Sequence, residues 1–442
     1  MPIPSRSIPR WTSPLLVVLA ACAPRTRVPD LPADPWRQYA DPSEAGFDAG
    51  ALDAVCDYAD SVGSAAVMAL QRGHVVLACG AIDRELEAHS VRKSLVSGLY
   101  GTAVARGEID LDATLAELGI DDTPPLTAAE KAATVRDLIA ARSGVYLGAA
   151  YAPASQDRDR PGRGNHAPGT HWFYNNWDFN VAGVVYERAT GEDLYESFGR
   201  RIAEPIGMQD YDPGDGFVVY EPTESRHPAH TFRISARDLA RFGQLYLQEG
   251  RWNGRQVVPA GWIAESTRPV TRFEDGDGYG YMWWTYRAGS APASIPHIGR
   301  YDTYMARGTG SQALWVIPEA GLVIVHRADT DHGRSIAGRD AWAIADGIVA
   351  ARTGEPVSDP ALVAVDVRPF DSQLPEHEWP EAIAVEESRL DDYMGRYPVS
   401  EDAVIRVFRF RGEPYIHVPG EGDALLIPVA PDAFTVRVVP GV

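Results

Sequence analysis

Ser90 and Lys93 are the first residues whose types and spacing could do chemistry. Of the 41 basic residues in the chain, only Lys93 and Lys131 are lysines, and all the others are arginines. A lysine loses its proton when burial or a neighbouring cation lowers its pKa, whereas an arginine does not. Residues three apart lie on one face of a helix, so Ser90 and Lys93 could form a nucleophile and its base. Chance alone would place a serine at this distance from one of two lysines in about one chain in ten, so the pair needs support from other residues.

Acyl transfer also needs a second proton carrier for the leaving group and backbone donors for a developing oxyanion. The stretch "HWFYNNWDFNVAG" offers Tyr174 and Asn176, two residues apart in a loop that leads into a helix. The phenol could carry a proton, and the amide could hold a substrate or Lys93. Aromatic clusters of this kind belong to a hydrophobic core roughly two times in three, so both interpretations stay open at this point.

Both motifs, in this order, resemble those of the β-lactamase-related serine hydrolases. That family includes class C β-lactamases, D-alanyl-D-alanine carboxypeptidases and esterases of the same fold. The resemblance extends over roughly residues 45–350 and rests on "HSVRKS", "GEIDLDATLAELGI", "ATVRDLIAARSGV", "PGTHWFYNNWDFNVAG", "EPIGMQD" and "ISARDLARFGQL". It implies an α+β fold, in which an antiparallel sheet is flanked by helices and carries an inserted helical subdomain.

The resemblance also implies roles for the residues that match the family's motifs. Ser90 would be the acylated nucleophile and Lys93 its base. Tyr174 would be the second proton carrier, and Asn176 would steer the substrate. The family implies no cofactor.

The family's third motif, a strand with Lys-Thr-Gly or His-x-Gly, has no full match in this chain. His297-Ile298-Gly299 fits by letters, but no apolar strand follows it directly. A better-placed run precedes the apolar stretch "ALWVIPEAGLVIV", and we expect it to bind the substrate: Thr309, Gly310, Ser311 and Gln312. Thr309 then takes the place of the cation that meets a substrate carboxylate in the family. Weak binding of carboxylates is therefore predicted, unless Arg307 or His297 supplies the missing charge.

The elements that must position these residues follow from the apolar patterns. Two apolar runs, 65–70 and 74–79, flank a short turn and predict a hairpin. Helical spacing begins near Ser90, and strand patterns return at 311–316 and 321–327. We therefore expect a sheet built from both ends of one domain, with helices inserted between them.

The domain boundaries follow from shifts in composition. The hydrolase domain is predicted over 46–355, and a linker rich in Pro, Asp and Glu over 356–386. Several short β-branched and aromatic runs then predict a small β module over 387–442, which resembles modules that often follow this catalytic domain.

Composition and motifs argue against several other classes of protein. The chain has 442 residues and a formal net charge of −20, which disfavours a nucleic-acid partner. Neither lysine lies in a P-loop, and the sequence has no Gly-x-Ser-x-Gly elbow. His227 and His230 form a weak metal motif because Pro228 interrupts any helix. The stretch 210–221 resembles a calcium loop but has Asp215 where the turn needs glycine, so we predict no metal site.

The N-terminal residues resemble a bacterial lipoprotein signal. Arg6 and Arg10 precede an apolar run too short to span a bilayer, and this run ends in "LAAC" at Cys22. We expect a signal peptide over 1–21, a lipid on Cys22 that anchors the protein to the membrane, and a Pro-rich tether over 22–45. The location would be the periplasmic side of the bacterial envelope. An ordinary secretory signal with an incidental cysteine is the alternative.

Cys56 and Cys79 would share this oxidising compartment. Cys56 lies in a helical pattern and Cys79 at the end of an apolar strand pattern. Pairing depends on geometry that a sequence does not supply, and we predict two buried, unpaired thiols.

These observations predict a lipid-anchored serine hydrolase that cleaves a small ester or amide through an acyl-enzyme. A D-alanyl-D-alanine carboxypeptidase or a β-lactamase is the alternative within the same chemistry. An inactive protein that binds cell-wall fragments is the alternative from another class, although a decayed site usually loses its nucleophile or its base.

Overall fold

A ten-stranded sheet forms the centre of the protein in the computed structural model, which describes residues 35–442 except 275, 291, 293, 373–382, 384, 399–403, 411–412, 419–421, 431–432 and 438–442. The strands in chain order are β1 Arg37–Tyr39, β2 Ala66–Gln71, β3 His74–Gly80, β4 Leu86–Glu87, β5 Phe217–Val219, β6 Ala229–Thr231, β7 Arg233–Ile234, β8 Arg251–Trp252, β9 Arg255–Gln256, β10 Thr271–Arg272, β11 Asp277–Tyr279, β12 Trp284–Tyr286, β13 Thr303–Gly308, β14 Gln312–Ile317, β15 Leu322–Arg327, β16 Leu362–Ala364, β17 Gly395–Pro398, β18 Val404–Phe410, β19 Glu413–Val418, β20 Gly422–Ala430 and β21 Ala433–Arg437. The α-helices are α1 Ala49–Ser61, α2 Arg92–Ala105, α3 Val135–Ile139, α4 Ala154–Asp159, α5 Asn176–Thr190, α6 Leu194–Phe198, α7 Glu204–Ile206, α8 Ala236–Leu247, α9 Ala260–Ser266, α10 Gly338–Ala350 and α11 Glu387–Asp391.

The main sheet joins the two ends of the hydrolase domain. Its strand order is β10-β11-β12-β13-β14-β15-β2-β3-β1-β16, so the β2–β3 hairpin lies beside β15. Neighbouring strands are antiparallel except β1 and β3, which are parallel. Helices α2 to α9 and three two-stranded sheets are inserted in the chain between β3 and β10. The predicted α+β fold, with its inserted helical part, is confirmed.

Both faces of the sheet centre are covered, which is why β2 has no polar side facing solvent. Met68 and Leu70 belong to one hydrophobic cluster, together with residues of α8. Val67 and Ala69 belong to a second cluster, with residues of α1 and α10. Full burial of a side chain such as Met or Leu contributes about 1.5–3 kcal/mol, so this strand is strongly held in its register.

A disulfide joins Cys56 of α1 to Cys79 of β3, and the prediction of two unpaired thiols was wrong. The Cα atoms lie 6.1 Å apart, within the usual range for a disulfide. The pairing arises because α1 packs across β2 and β3, so that residues 23 apart in the chain face each other. Neither the helical pattern around Cys56 nor the strand pattern that ends at Cys79 indicates this contact.

Two segments predicted as tether and linker contain strands of the main sheet. Gln38 of β1 pairs with Val75 on one side and with Val363 of β16 on the other. The tether predicted over 22–45 and the linker predicted over 356–386 therefore extend too far, because each includes backbone that pairs in the sheet. The predicted signal peptide and Cys22 lie outside the described residues. No helix in the described part of the chain is long and apolar enough to cross a membrane.

The C-terminal module is a five-stranded sheet in the order β17-β18-β19-β20-β21, with antiparallel neighbours. The Tyr415 hydroxyl donates to the carbonyl oxygen of Val218 in β5 at 3.0 Å. The module therefore contacts the inserted part of the hydrolase domain.

Candidate active site

Ser90 and Lys93 lie at the start of α2. A 3-10 turn over His89–Val91 runs directly into the helix, so the two side chains share one face. Lys93 Nζ donates to Ser90 Oγ at 2.8 Å. Ser90 is partly exposed, whereas the Lys93 side chain is buried behind it. The spacing of three residues thus produces the expected contact.

The surroundings of Lys93 favour the uncharged amine. Its Nζ lies 4.7 Å from the ring centre of Tyr174 and 4.8 Å from that of Phe179. Burial, and secondarily the neighbouring Arg92 cation, hold the pKa of Lys93 well below its usual value. Within the described residues no carboxylate lies within ion-pair distance of Lys93. A neutral amine at this distance can accept the proton of Ser90.

Tyr174 supplies the third group of the cluster. It precedes α5, whose N-cap is Asn175; the Asn175 side chain accepts from the backbone N–H of Trp177 and donates to the carbonyl oxygen of Val145. Burial raises the pKa of Tyr174 to about 12, against the opposing effect of a side-chain hydrogen bond with Ser90. Tyr174 therefore keeps its proton near neutral pH and can act as a donor.

Asn176 has less freedom than a substrate-steering residue would need. Its Nδ2 donates to the carbonyl oxygen of Tyr151, and its Oδ1 accepts from Gln156 Nε2 at 3.4 Å. Its backbone N–H donates to Gln156 Oε1 at 3.0 Å. Asn176 lines the cleft, but its amide holds the segment from Tyr151 to α4 in place.

The end of β13 forms the opposite wall of the cleft. A Cβ on Gly308 would lie 2.7 Å from the carbonyl oxygen of Ala88 and 3.2 Å from the Cβ of His89. A side chain at this position would therefore push the strand away from residues 88 and 89. Glycine allows the backbone of β13 to lie close to the segment that leads into Ser90, as a backbone that binds an oxyanion would need to.

Of the four residues predicted to bind substrate on this wall, only Thr309 lines the cleft. Gly310 and Ser311 have left-handed φ angles of 75° and 71° and form the turn into β14. The Ser311 hydroxyl donates to the carbonyl oxygen of Ile336 at 2.9 Å. Gln312 is buried, donates to the carbonyl oxygen of Ala328 and accepts from Arg327 Nε, both at 2.7 Å. The Gly310 backbone and the side chains of Ser311 and Gln312 therefore belong to the turn and its supports.

The two residues considered for the missing cation lie in different places. Arg307 lines the cleft, and its guanidinium carbon lies 4.9 Å from the ring centre of Trp284. His297 pairs instead with Asp346 of α10, with Nδ1 and Oδ2 2.8 Å apart. Arg307 is therefore the cation that a substrate in the cleft could meet.

The cleft between these walls has a volume of about 540 Å³, and aromatic rings form part of its surface. Trp172, Phe173 and Tyr174 line it, while Trp177 is fully buried and its indole N–H donates to Asp122 Oδ2 at 2.6 Å. Three rings of the aromatic stretch therefore line the cleft, and the fourth belongs to the hydrophobic core. No group of three or more His, Cys, Asp or Glu residues within the described chain could hold a metal ion.

Sequence reasoning missed three residues at the back of the cleft, namely Glu87, His89 and Tyr151. The Tyr151 hydroxyl bonds both to Glu87 and to His89, which directly precedes Ser90. Tyr151 is separated from Glu87 by 64 positions and from His89 by 62, so no local pattern could have indicated the contacts.

Comparison with known proteins extends these observations. The family model of the β-lactamases matches residues 53–348. Esterase EstB of Burkholderia gladioli is 30% identical in an alignment 232 residues long, which covers 43% of this chain and 58% of that esterase. A putative 6-aminohexanoate-dimer hydrolase from Bacillus anthracis superposes with a TM-score of 0.51 at 21% identity, over 66% of this chain and 80% of that one. An octameric penicillin-binding protein homologue from Pyrococcus abyssi gives 0.52 at 16% identity, over 89% of this chain and 94% of that one. At these identities the two structures indicate a common fold.

The matched range begins in α1 and ends in α10, so it includes the start of α2, the loop before α5 and the end of β13. The resemblance seen in the motifs, the fold and the family match therefore agree, and the chain belongs to the β-lactamase family.

Proposed function

We propose that the protein is a serine hydrolase that cleaves an ester or amide through an acyl-enzyme on Ser90. The observation that carries this proposal is the 2.8 Å contact between Ser90 Oγ and the buried amine of Lys93. The burial that lowers the pKa of Lys93 makes this amine a base rather than a fixed cation. An esterase name among the relatives agrees with this chemistry.

In the proposed acylation, Lys93 takes the Ser90 proton while Oγ attacks the substrate carbonyl carbon. The backbone N–H of Ser90 and the backbone at the end of β13 stabilise the oxyanion. Tyr174 then gives its phenolic proton to the leaving alcohol or amine, and Lys93 returns the proton it holds to Tyr174. In deacylation a water molecule attacks the acyl carbon, the same groups take its proton, and Ser90 regains a hydrogen as the acid leaves.

Arg307 bears on the kind of substrate. Without a cation in the cleft, a substrate carboxylate would bind weakly, but the Arg307 guanidinium offers a charge-assisted hydrogen bond there. This observation favours a second candidate function, a D-alanyl-D-alanine carboxypeptidase or β-lactamase, whose substrates carry a carboxylate. The inactive binding protein is disfavoured, since nucleophile, base and phenol are all present and in contact.

Covalent labelling tests the proposal. A fluorescent fluorophosphonate should label the wild-type protein at Ser90, and Ser90→Ala should abolish the label. Ser94 and Ser97 are matched controls because both are buried and donate to the carbonyl oxygens of Met282 and Tyr281. A label found on either of them by mass spectrometry, or no label on the wild type, would contradict the proposal. Comparing p-nitrophenyl butyrate, nitrocefin and a D-alanyl-D-alanine peptide then ranks the substrate classes.

We also propose that a lipid on Cys22 anchors the enzyme on the periplasmic side of the envelope. The support is the short apolar run and its "LAAC" ending, which lie outside the described residues. Wild-type protein should partition into detergent, and Cys22→Ala should become soluble or stay unprocessed. Membrane association that survives Cys22→Ala would overturn the anchor.

A further inference from the structure

His89, the residue directly before the nucleophile, has an unusual backbone conformation. Its φ angle is 47°, in the left-handed region that residues with a Cβ rarely adopt. Such conformations persist only where the surroundings hold them, and they gather at functional sites. The orientation of Ser90 therefore depends on whatever holds His89.

A chain of buried hydrogen bonds holds the His89 ring from both sides. On one side Nδ1 bonds to the Tyr151 hydroxyl, and on the other Nε2 lies 2.8 Å from Thr330 Oγ1. The Tyr151 hydroxyl in turn donates to Glu87 Oε1 at 2.5 Å. When Glu87 is ionised, its carboxylate accepts the single hydroxyl hydrogen of Tyr151, so His89 Nδ1 is the donor to Tyr151 and Nε2 accepts from Thr330. Burial lowers the pKa of His89 to about 3, in agreement with this neutral form.

Tyr151 is itself held in place. Its φ angle is 60°, again left-handed. Its carbonyl oxygen accepts from Asn176, and its backbone N–H donates to Glu221 Oε1 at 3.2 Å. Two strained residues, 62 positions apart, thus bond to each other directly behind the nucleophile. Packing alone would not require a hydroxyl or an imidazole at these positions.

We propose that Tyr151 is a positioning residue, which acts through His89 to keep the hydroxyl and the backbone N–H of Ser90 aimed into the cleft. This inference rests on the proposed function of Ser90. Tyr151 carries no proton to or from the substrate. It holds the backbone conformation of His89, which determines the orientation of Ser90.

A double-mutant cycle with Tyr151→Phe and His89→Gly tests this role. The readouts are the rate of fluorophosphonate labelling and the separate kcat and KM for p-nitrophenyl butyrate. Tyr151→Phe should lower the labelling rate and kcat about 10- to 100-fold, because small misplacements of a nucleophile have effects of this size, and should leave KM nearly unchanged. In the His89→Gly background the same substitution should have almost no further effect, since the link to Ser90 is already broken.

His89→Ala sharpens the test. Glycine accepts a left-handed φ without strain and alanine does not, so His89→Ala should label more slowly than His89→Gly. Thr330→Val keeps the side-chain shape and removes the hydroxyl. Like Tyr151→Phe, it should lower the labelling rate and kcat. Tyr146→Phe is the matched control, because the buried Tyr146 hydroxyl has no hydrogen-bond partner within the described residues.

The possible results distinguish a failure of this inference from a failure of the proposed function. An equal effect of Tyr151→Phe in both backgrounds would mean that Tyr151 acts on the substrate directly, and the inference would be wrong. Wild-type rates in Tyr151→Phe and Thr330→Val, with the label still on Ser90, would also overturn it. Labelling that persists in Ser90→Ala would instead refute the proposed function itself.

Discussion

The two lysines of the chain lie in opposite surroundings. Lys131 is near the surface, with its Nζ 2.6 Å from Asp121 Oδ2 and its side chain 31% exposed. Lys93 is 2% exposed and lies between two aromatic rings, in contact with Ser90. Lys131 acts on its partner as a fixed charge, and its hydrogen bond lowers the pKa of Asp121 to about 2. Under the proposed function, the same type of side chain is an ion at position 131 and a base at position 93, and the difference lies in solvent and neighbours.

The largest effect should come from exchanging each lysine for arginine. Lys93→Arg keeps a positive charge but cannot accept a proton, so acylation should fall by roughly 10²–10⁴. Lys131→Arg keeps the ion pair with Asp121 and should label at the wild-type rate. Fluorophosphonate labelling of both variants measures the contrast. An active Lys93→Arg enzyme would mean that the lysine is only a cation.

The next comparison is between Lys93, proposed as a base, and Arg307, proposed to bind a substrate carboxylate. Arg307→Gln should lower kcat/KM for nitrocefin or a D-alanyl-D-alanine peptide by about one to two decades, the worth of one charge-assisted hydrogen bond. It should leave p-nitrophenyl butyrate hydrolysis nearly unchanged, because that ester has no carboxylate. His297→Gln is the control, since His297 pairs with Asp346 away from the cleft. Equal losses on both substrate types would show that Arg307 does not select carboxylates.

Arg92 offers a way to make Lys93 more like Lys131. Arg92 is buried and donates to the carbonyl oxygen of His230 and to Asn180 Oδ1, at 2.7 and 3.1 Å. Its charge disfavours the protonated form of Lys93, so Arg92→Met should raise the pKa of Lys93. The pH below which kcat/KM falls should then be higher than in the wild type. At pH values below both pKa values, kcat/KM should be about tenfold lower for each unit by which the pKa of Lys93 rises.

The control for this shift is Arg92→Lys, which keeps a cation at the same position. Its acid limb should stay nearer to that of the wild type than the limb of Arg92→Met. If Arg92→Met lowers activity by the same factor at every pH, Arg92 is a packing residue and has no influence on the Lys93 proton.

The smallest effect should come from removing the surface pair. Lys131→Ala should leave the labelling rate unchanged and lower the melting temperature only slightly, because exposed ion pairs contribute little. High salt should shrink the difference further by screening the charges. A large loss of labelling in Lys131→Ala would contradict the division of roles between the two lysines.

The sequence predicted the parts of the site that depend on local geometry. Ser90 and Lys93 are three residues apart in one helical segment, so their contact follows from helix geometry alone. Tyr174 was a candidate from its own stretch, and the resemblance to the family assigned its role beside α2. The apolar runs predicted a sheet built from both ends of the domain, and the resemblance implied the α+β fold.

Contacts between distant segments could not be predicted in this way. Gln312 belongs to the turn rather than to the cleft because its amide is bonded to Arg327, at the end of the next strand, and to Ala328 directly after it. The Cys56–Cys79 disulfide depends on how α1 crosses β3. The hydrogen bonds of His89 depend on Tyr151 and Thr330, which are 62 and 241 positions away. A strand or helix pattern indicates which face of the element is apolar, but it does not indicate which distant side chains contact that face.

The most direct test of the account uses the fact that the chain has only two lysines. Protein labelled with ¹³C at the lysine ε-carbons should give two NMR resonances, which Lys131→Arg assigns. We predict that the Lys93 resonance reports an uncharged amine at neutral pH, and that it moves toward the position of the charged form only as the pH is lowered. Two lysines that stay charged together and titrate together at high pH would contradict the claim that Lys93 is the base for Ser90.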